Sequence, residues 1–161
     1  MGVKEKWEYN VAMTIIRKAK AADIDFIVHS QIQLAREVEK IELDHETVHK
    51  GVSAVFTNAV EGEYYVAMMD GKLVACMLTL MEWSDWRNGN MVWIHSVYVV
   101  STYRKHGIFT EMYDHLKQMV LDSSNLRGLR LYVDKTNSSA QRVYEKLKMT
   151  KDHYEMYEWL R

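Results

Sequence analysis

Residues 93–121, WIHSVYVVSTYRKHGIFTEMYDHLKQMVL, constrain the fold more than any other stretch of this chain. An apolar, β-branched strand breaks into a short basic loop, Arg104-Lys105-His106-Gly107-Ile108-Phe109, and the loop opens directly into an amphipathic helix. A strand feeding a glycine-bearing loop at a helix N-terminus is a place to hold phosphate. Backbone N–H groups point out of the loop, the helix dipole adds partial positive charge, and Arg104 and Lys105 add whole charges. Taken alone, a glycine between basic residues also ends ordinary strands.

The rest of the chain supplies strands and helices around this unit. Thr14–Lys18 reads as a short strand. Asp23 is placed to cap a helix over 24–40, whose face is Ile24, Ile27, Val28, Gln31, Leu34, Ala35 and Val38. A second helix spans Asp44–Thr57. Tyr64–Met69 and Leu73–Trp83 form a hairpin across Asp70-Gly71, a tight-turn dipeptide. A polar connection, 84–90, leads to the strand Met91–Val100. There follow a helix over Gly107–Asp122, a strand over Gly128–Asp134, a helix over Ser138–Leu147 and a last strand over Tyr154–Trp159. Hairpins in the first half and strand–helix–strand units in the second predict an α/β (α+β) fold: a mixed, mostly antiparallel sheet with helices on both faces.

With 161 residues the chain is long enough for one domain with a sizeable core, expected over 14–161 behind a loose, polar arm over 1–13. The formal net charge of −1 argues against general binding of nucleic acid or of an anionic membrane. No apolar run is long enough to cross a bilayer, and no cleavable signal is visible. The lone Cys76 allows no internal disulfide and fits a reducing cytoplasm. It lies in the apolar run Leu73–Leu80, where a packing role suits it better than that of a nucleophile.

A second segment completes a pattern: Leu129-Arg130-Leu131-Tyr132-Val133, then Asn137-Ser138-Ser139-Ala140-Gln141-Arg142-Val143-Tyr144. Together with the Arg104–Phe109 loop it resembles the acetyl-coenzyme A site of the GNAT superfamily of N-acetyltransferases. The loop fits that family's Arg/Gln-x-x-Gly-x-Gly/Ala pyrophosphate motif, and the second segment fits its strand–Asn–helix–Tyr segment. The likeness extends over about residues 14–158. It implies a GNAT-like fold, acetyl-CoA as acyl donor, no metal, direct transfer to a primary amine and, by family habit, a homodimer. The rival functions are acetylation of a protein or peptide amine, and a non-catalytic acyl-CoA-binding module.

The resemblance assigns candidate roles. Arg104, Lys105, His106, Gly107, Ile108 and Phe109 would hold the pyrophosphate. The backbone of Val97, Tyr98 and Val99 would meet the pantetheine arm, with an oxyanion donor near Val97. Asn137, Ala140 and Tyr144 complete the cofactor side, and Asn137 also suits a helix cap. Tyr144 occupies the position of the acid that protonates the leaving thiolate; a tyrosine packing one helix face has the same spacing. For the base, His95 and Glu82 compete. An imidazole suits a base at neutral pH, yet alternation sets Trp93, His95, Val97 and Val99 on one strand face, where a packed histidine is equally natural.

In Glu82-Trp83-Ser84-Asp85-Trp86, carboxylates and aromatic rings form the pattern of a cationic-amine pocket, and equally of an edge cover or dimer contact. Trp83, Asp85 and Trp86 are therefore candidate substrate contacts. Glu37 and Glu39, on a helix expected to cover the acceptor cleft, add charge there or face solvent. Two positions depart from the family pattern: Phe109 where Gly or Ala is usual, and Lys148 where Gly often ends the helix. The remaining histidines (His29, His45, His49, His106, His115 and His153) show no metal-ligand pattern and read as surface residues.

Overall fold

The structure is a computed structural model that describes residues 13–161, so the expected arm falls, apart from Met13, outside the described residues. Its elements are β1 (Ile15–Lys18), α1 (Ile24–Leu34), α2 (His45–Phe56), β2 (Gly62–Met69), β3 (Lys72–Ser84), β4 (Gly89–Val99), α3 (Ile108–Asp122), β5 (Leu126–Arg130) and α4 (Ser138–Lys146). The strands make one sheet in the order β1-β2-β3-β4-β5. Neighbours are antiparallel except β4 and β5, which run parallel after the crossover through α3.

Local chemistry explains most of these elements. Asp70 and Gly71 both take positive φ, +49° and +74°, the primed-turn geometry whose twist matches the flanking strands. Asp44 caps α2 by accepting from the Thr47 amide at 2.7 Å, and Asn137 caps α4 by accepting from the Ala140 amide at 3.1 Å. Asp23 does not cap α1. Its carboxylate faces backwards, accepting from the Lys20 amide at 2.7 Å and from both Arg17 guanidinium nitrogens at 2.7 and 3.0 Å. It thereby ties the end of β1 to the start of the helical layer.

The sheet separates two apolar layers. On one face Ile27, Val28 and Ile32 of α1 and Val52 and Val55 of α2 cover Tyr64, Val66, Cys76 and Tyr98. On the other, Ile108, Met112, Tyr113 and Leu116 of α3 cover Tyr65, Ala67, Met77 and Ile94. The hydrophobic faces of α1 and α3 thus lie where their helical periodicity sets them.

Three further expectations fail: the strand expected over Gly128–Asp134 is Leu126–Arg130, and two others fail more fully. The long first helix is regular only to Leu34, and Ala35–Glu39 widen into a π turn that ends at Lys40 with φ +59°. The last strand does not form over Tyr154–Trp159: none of these residues joins the sheet, and Tyr157 and Trp159 are 91% and 87% exposed. Strand propensity is a fit to a partner surface rather than a backbone preference. The partner here, β5, ends at Arg130, while Leu131–Val133 turn aside to line a cavity. Tyr154 stacks on the Arg130 guanidinium at 5.5 Å without pairing to the strand.

Lys148 does take the left-handed conformation expected for a helix-ending glycine, at φ +64°. Replacing Lys148 by Gly should therefore raise stability by roughly 0.5–1 kcal/mol, read as a higher urea midpoint with unchanged slope. Asp23 yields a pH-dependent prediction. Hydrogen bonding by Arg17 holds its carboxyl below the usual range. A depressed folded-state pKa gives stability that is present above the unfolded value of about 3.9 and fades as pH falls through the folded one. Asp23→Ala should cost about 2 kcal/mol at neutral pH, and the deficit should shrink in urea titrations run at progressively lower pH. A deficit constant with pH would mean that the charge of Asp23 is irrelevant.

Candidate active site

The site begins with one extra residue in β4. Tyr98 pairs with Cys76 and His95 with Leu78, so two β4 positions between them oppose the single Met77. Ser96 absorbs the mismatch at φ +52°, a left-handed conformation costing a non-glycine residue about 1 kcal/mol. The bulge also breaks the expected alternation. Trp93 and His95 stack with ring centroids 5.9 Å apart, whereas Val97 and Val99 join Ile94 in the layer against α3.

Beyond the bulge the sheet opens. β5 pairs with β4 only from Asn90 to Trp93, while β4 continues to Val99. The β5-facing edge of residues 94–99 therefore has no strand partner among the described residues. A cavity of about 320 Å³ occupies the gap. Its walls come from Ile94–Val97 of β4, from Leu131–Asp134 beyond β5, from Gln31, Leu34, Ala35 and Val38 of the first helix and its π turn, and from Asn137 and Tyr144 of α4.

Two titratable side chains that the sequence singles out meet on this cavity. His95 is half-buried against Trp93 and the edge of the Tyr132 ring, at 5.4 Å. Burial lowers its pKa below the ordinary imidazole value, which favours the neutral, proton-accepting form at pH 7. Tyr144 packs edge-on against Phe109, with centroids 5.6 Å apart, and burial raises the pKa of its hydroxyl. It keeps its proton through the neutral and mildly alkaline range. Phe109 thus lies against the tyrosine rather than standing free at the helix start.

The basic loop lies beside a second, smaller hollow of about 150 Å³, lined among others by Tyr103, Lys105, Gly107 and Phe109. Lys105 and Gly107 take positive φ, +67° and +82°, turning the loop into the start of α3. No side chain among the described residues caps α3, so the amides of Ile108, Phe109 and Thr110 at its first turn lack a helical acceptor. His106 is exposed and Ala140 sits in the first turn of α4; neither lines either hollow. Arg104 is committed within the protein: it donates to the Val99 carbonyl at 2.8 Å, lies over the Tyr98 ring and pairs with Glu37 at 2.5 Å. Glu37 also accepts from the Tyr98 hydroxyl at 3.2 Å. It ties the π turn to the basic loop and does not line the cavity.

The other expected contacts lie elsewhere. β3 and β4 continue as a long hairpin well past His95, so Glu82 pairs with Met91 and Trp83 with Asn90. Glu82 accepts from the Trp93 indole at 3.0 Å and is ion-paired to Arg130 at 2.5 Å. Trp83 and Trp86 are 59% and 87% exposed, and the Asp85 carboxylate accepts from the Trp86 amide. None of the four lines the cavity, although Glu82 reaches His95 through the Trp93 ring stacked on it. Cys76 is fully buried with its thiol pushed up to about 12, which removes it as a nucleophile.

Several cavity residues had no assigned role in the sequence. Gln31 donates to the Ser96 carbonyl at 3.2 Å and braces the bulge; its polarity on an otherwise apolar helix face was the available signal. Ile41 and Leu43 also line the cavity and carry no motif, and Tyr132 lies in the strand of the second motif segment without a role of its own there.

Comparison with known proteins agrees with this geometry. The acetyltransferase (GNAT) family matches residues 28–149. No curated protein sequence matches significantly. Among solved structures, a possible acetyltransferase from Clostridium difficile 630 is 41% identical with a TM-score of 0.85, the match covering 92% of this chain and 98% of that one. A predicted acetyltransferase with acetyl-CoA from Clostridium acetobutylicum is 22% identical with a TM-score of 0.69, covering 92% and 95%. A ribosomal-protein-alanine N-acetyltransferase from Brucella melitensis biovar Abortus 2308 is 15% identical with a TM-score of 0.76, covering 92% and 100%. The latter two likenesses are of fold. Matched over three quarters of its length and built on a sheet that opens at the bulge, the chain belongs to the GNAT family of acetyltransferases.

Proposed function

We propose that the protein moves an acetyl group from acetyl-CoA directly to a primary amine, with His95 as general base and Tyr144 as general acid. The observation that carries this reading is the gap between β4 and β5, which puts both side chains on one cavity beside an unpaired strand edge.

The residues present fit such a donor. The β5-facing backbone edge along Val97, Tyr98 and Val99, apart from the Val99 carbonyl that accepts from Arg104, suits an amide-bearing arm that pairs as a strand would. The uncapped first turn of α3, with Arg104, Lys105 and His106 in the preceding loop, suits a pyrophosphate. Asn137 and Ala140 belong to the α4 end of the same surface. Acetyl-CoA would supply the acetyl group as an activated thioester.

The chain's own groups do the rest. His95 takes a proton from the amine nitrogen as it attacks. An N–H just past the bulge, near Val97, donates to the developing oxyanion, an arrangement typically contributing about 3 kcal/mol. The Tyr144 hydroxyl returns a proton to the departing sulfur. Glu82 is the weaker base candidate, because its carboxylate is already engaged by Arg130 and the Trp93 indole. A small cationic amine held by Trp83, Asp85 and Trp86 loses support for the same geometric reason: those residues lie away from the cavity.

A homodimer in the cytoplasm belongs to the same reading. It is supported by the exposed Tyr154, Met156, Tyr157 and Trp159 beyond β5 and by the buried, unbridged Cys76. Sedimentation equilibrium of protein recovered from the soluble cell fraction should give twice the chain mass. A monomer would exclude the first point, and recovery outside that fraction the second.

The catalytic assignment is tested by release of thiol from acetyl-CoA across a panel of primary amines. Tyr144→Phe should lower kcat by roughly a hundredfold and His95→Gln by at least as much. For the parent protein, kcat/KM should fall with acid through a pKa below about 6.5, because protonated His95 cannot accept a proton. His95→Gln should abolish that limb. A Tyr144→Phe variant with unchanged kcat would remove the acid, and an acid limb that survives in His95→Gln would remove the base.

A further inference from the structure

The cavity has two unlike sides. Asn137 and Tyr144, from α4, bring polar groups to one. The other is walled by hydrocarbon from the π turn and the α1–α2 connection: Val38, Ile41 and Leu43, with Tyr132 opposite. Ile41 and Leu43 are 50% and 36% exposed, so this side opens to solvent through large apolar side chains that nothing among the described residues covers. Exposed apolar groups gathered at the mouth of a cavity mark a place that receives apolar matter.

The charges on the wall are few and of one sign. Among the described residues, no Lys or Arg lines the cavity and two carboxylates do. Asp134, at the α4 end, accepts from the Thr136 amide and hydroxyl within its own turn, both at Oδ1. Glu39 is exposed and has no ion-pair partner among the described residues.

We infer that the acceptor is a monoamine on an apolar body, an alkyl- or aralkylamine whose nitrogen passes Glu39 to reach His95 while its hydrocarbon packs on Val38, Ile41, Leu43 and Tyr132. This rests on the acetyl-transfer reading above. A polyamine or an amino sugar would set further ammonium groups against the hydrocarbon of Val38, Ile41 and Leu43, where Glu39 is the neighbouring carboxylate. An amine bearing a carboxylate or phosphate would meet no cation. A long acyl chain on the donor would suit the same hydrocarbon, but that hydrocarbon is on the helix side and opens outward, whereas the cofactor-side groups come from α4.

The test compares hexylamine with cadaverine, equal in heavy-atom count and differing in a terminal methyl against a terminal ammonium. Calorimetric titration of the CoA-saturated protein reads binding without turnover. Hexylamine and 4-phenylbutylamine should bind at least roughly tenfold tighter than cadaverine, since a second charge is costly on an apolar wall. Ile41→Asp, and separately Leu43→Asp, should reduce that ratio severalfold; both positions are exposed, and thermal melting checks that each variant folds. Equal or tighter binding of cadaverine overturns the inference, as does an unchanged ratio in both folded variants. Preference for hexanoyl-CoA over acetyl-CoA without preference for hexylamine also overturns it and gives the wall to the acyl chain. The two readings fail separately. Tight hexylamine binding with no thiol release from acetyl-CoA defeats the transfer and leaves the apolar site. Efficient acetylation of cadaverine over hexylamine defeats the apolar site and leaves the transfer.

Discussion

The site depends on the failure of two parallel strands to stay paired. β4 and β5 hold together for four residues and then part, because β4 carries an extra residue at Ser96 and Leu131–Val133 turn aside. A continuous ladder would satisfy every backbone group and leave no room between the strands. The divergence leaves backbone donors and acceptors along residues 94–99 and opens space beside them. Gln31 then reaches across from α1 to bond the Ser96 carbonyl, which ties the bulge to the helical layer. The strain at Ser96 is thus held by packing on one side and a hydrogen bond on the other.

Electrostatics join the two halves of the site more closely than the motif alone suggests. Arg104 opens the basic loop, yet its guanidinium is held by Glu37, the Val99 carbonyl and the Tyr98 ring. Its charge is therefore shared, which leaves Lys105, the backbone amides and the start of α3 as the loop's other positive groups. His95 and Tyr144 are displaced by burial in opposite directions, one towards the neutral base and the other towards the protonated acid. That separation lets a single cavity offer both a proton acceptor and a proton donor near neutral pH.

Much of this was legible in the sequence, and the reasons differ by residue. The Asp70-Gly71 turn, the cap at Asp44, and the strand–loop–helix unit ending in α3 are local, so local residue chemistry predicts them. His95 and Tyr144 were singled out by position around a motif, and both line the cavity. The bulge was not legible: Ser96 is an ordinary residue in an ordinary strand sequence, and nothing in its neighbours announces a positive φ. Missing it put Val97 and Val99 on the wrong face. Trp83, Asp85 and Trp86 do not line the cavity, because strand length is set by the partner and the hairpin continues several residues beyond it. The strand expected at Tyr154–Trp159 failed because propensity says nothing about whether an edge is available.

The bulge in β4 and the π turn after α1 are the same kind of event in two backbones: each is one residue too many for a regular element. Residues of both line the cavity. Such a site is specified by counting as much as by chemistry. A substitution at Ser96 keeps the extra residue and with it the opening, whereas removing any one residue from 94–99 would return the strand to register and turn His95 or the strand beyond it to the opposite face. Among related chains, a shared gap position would therefore be a better marker of this architecture than a shared residue type.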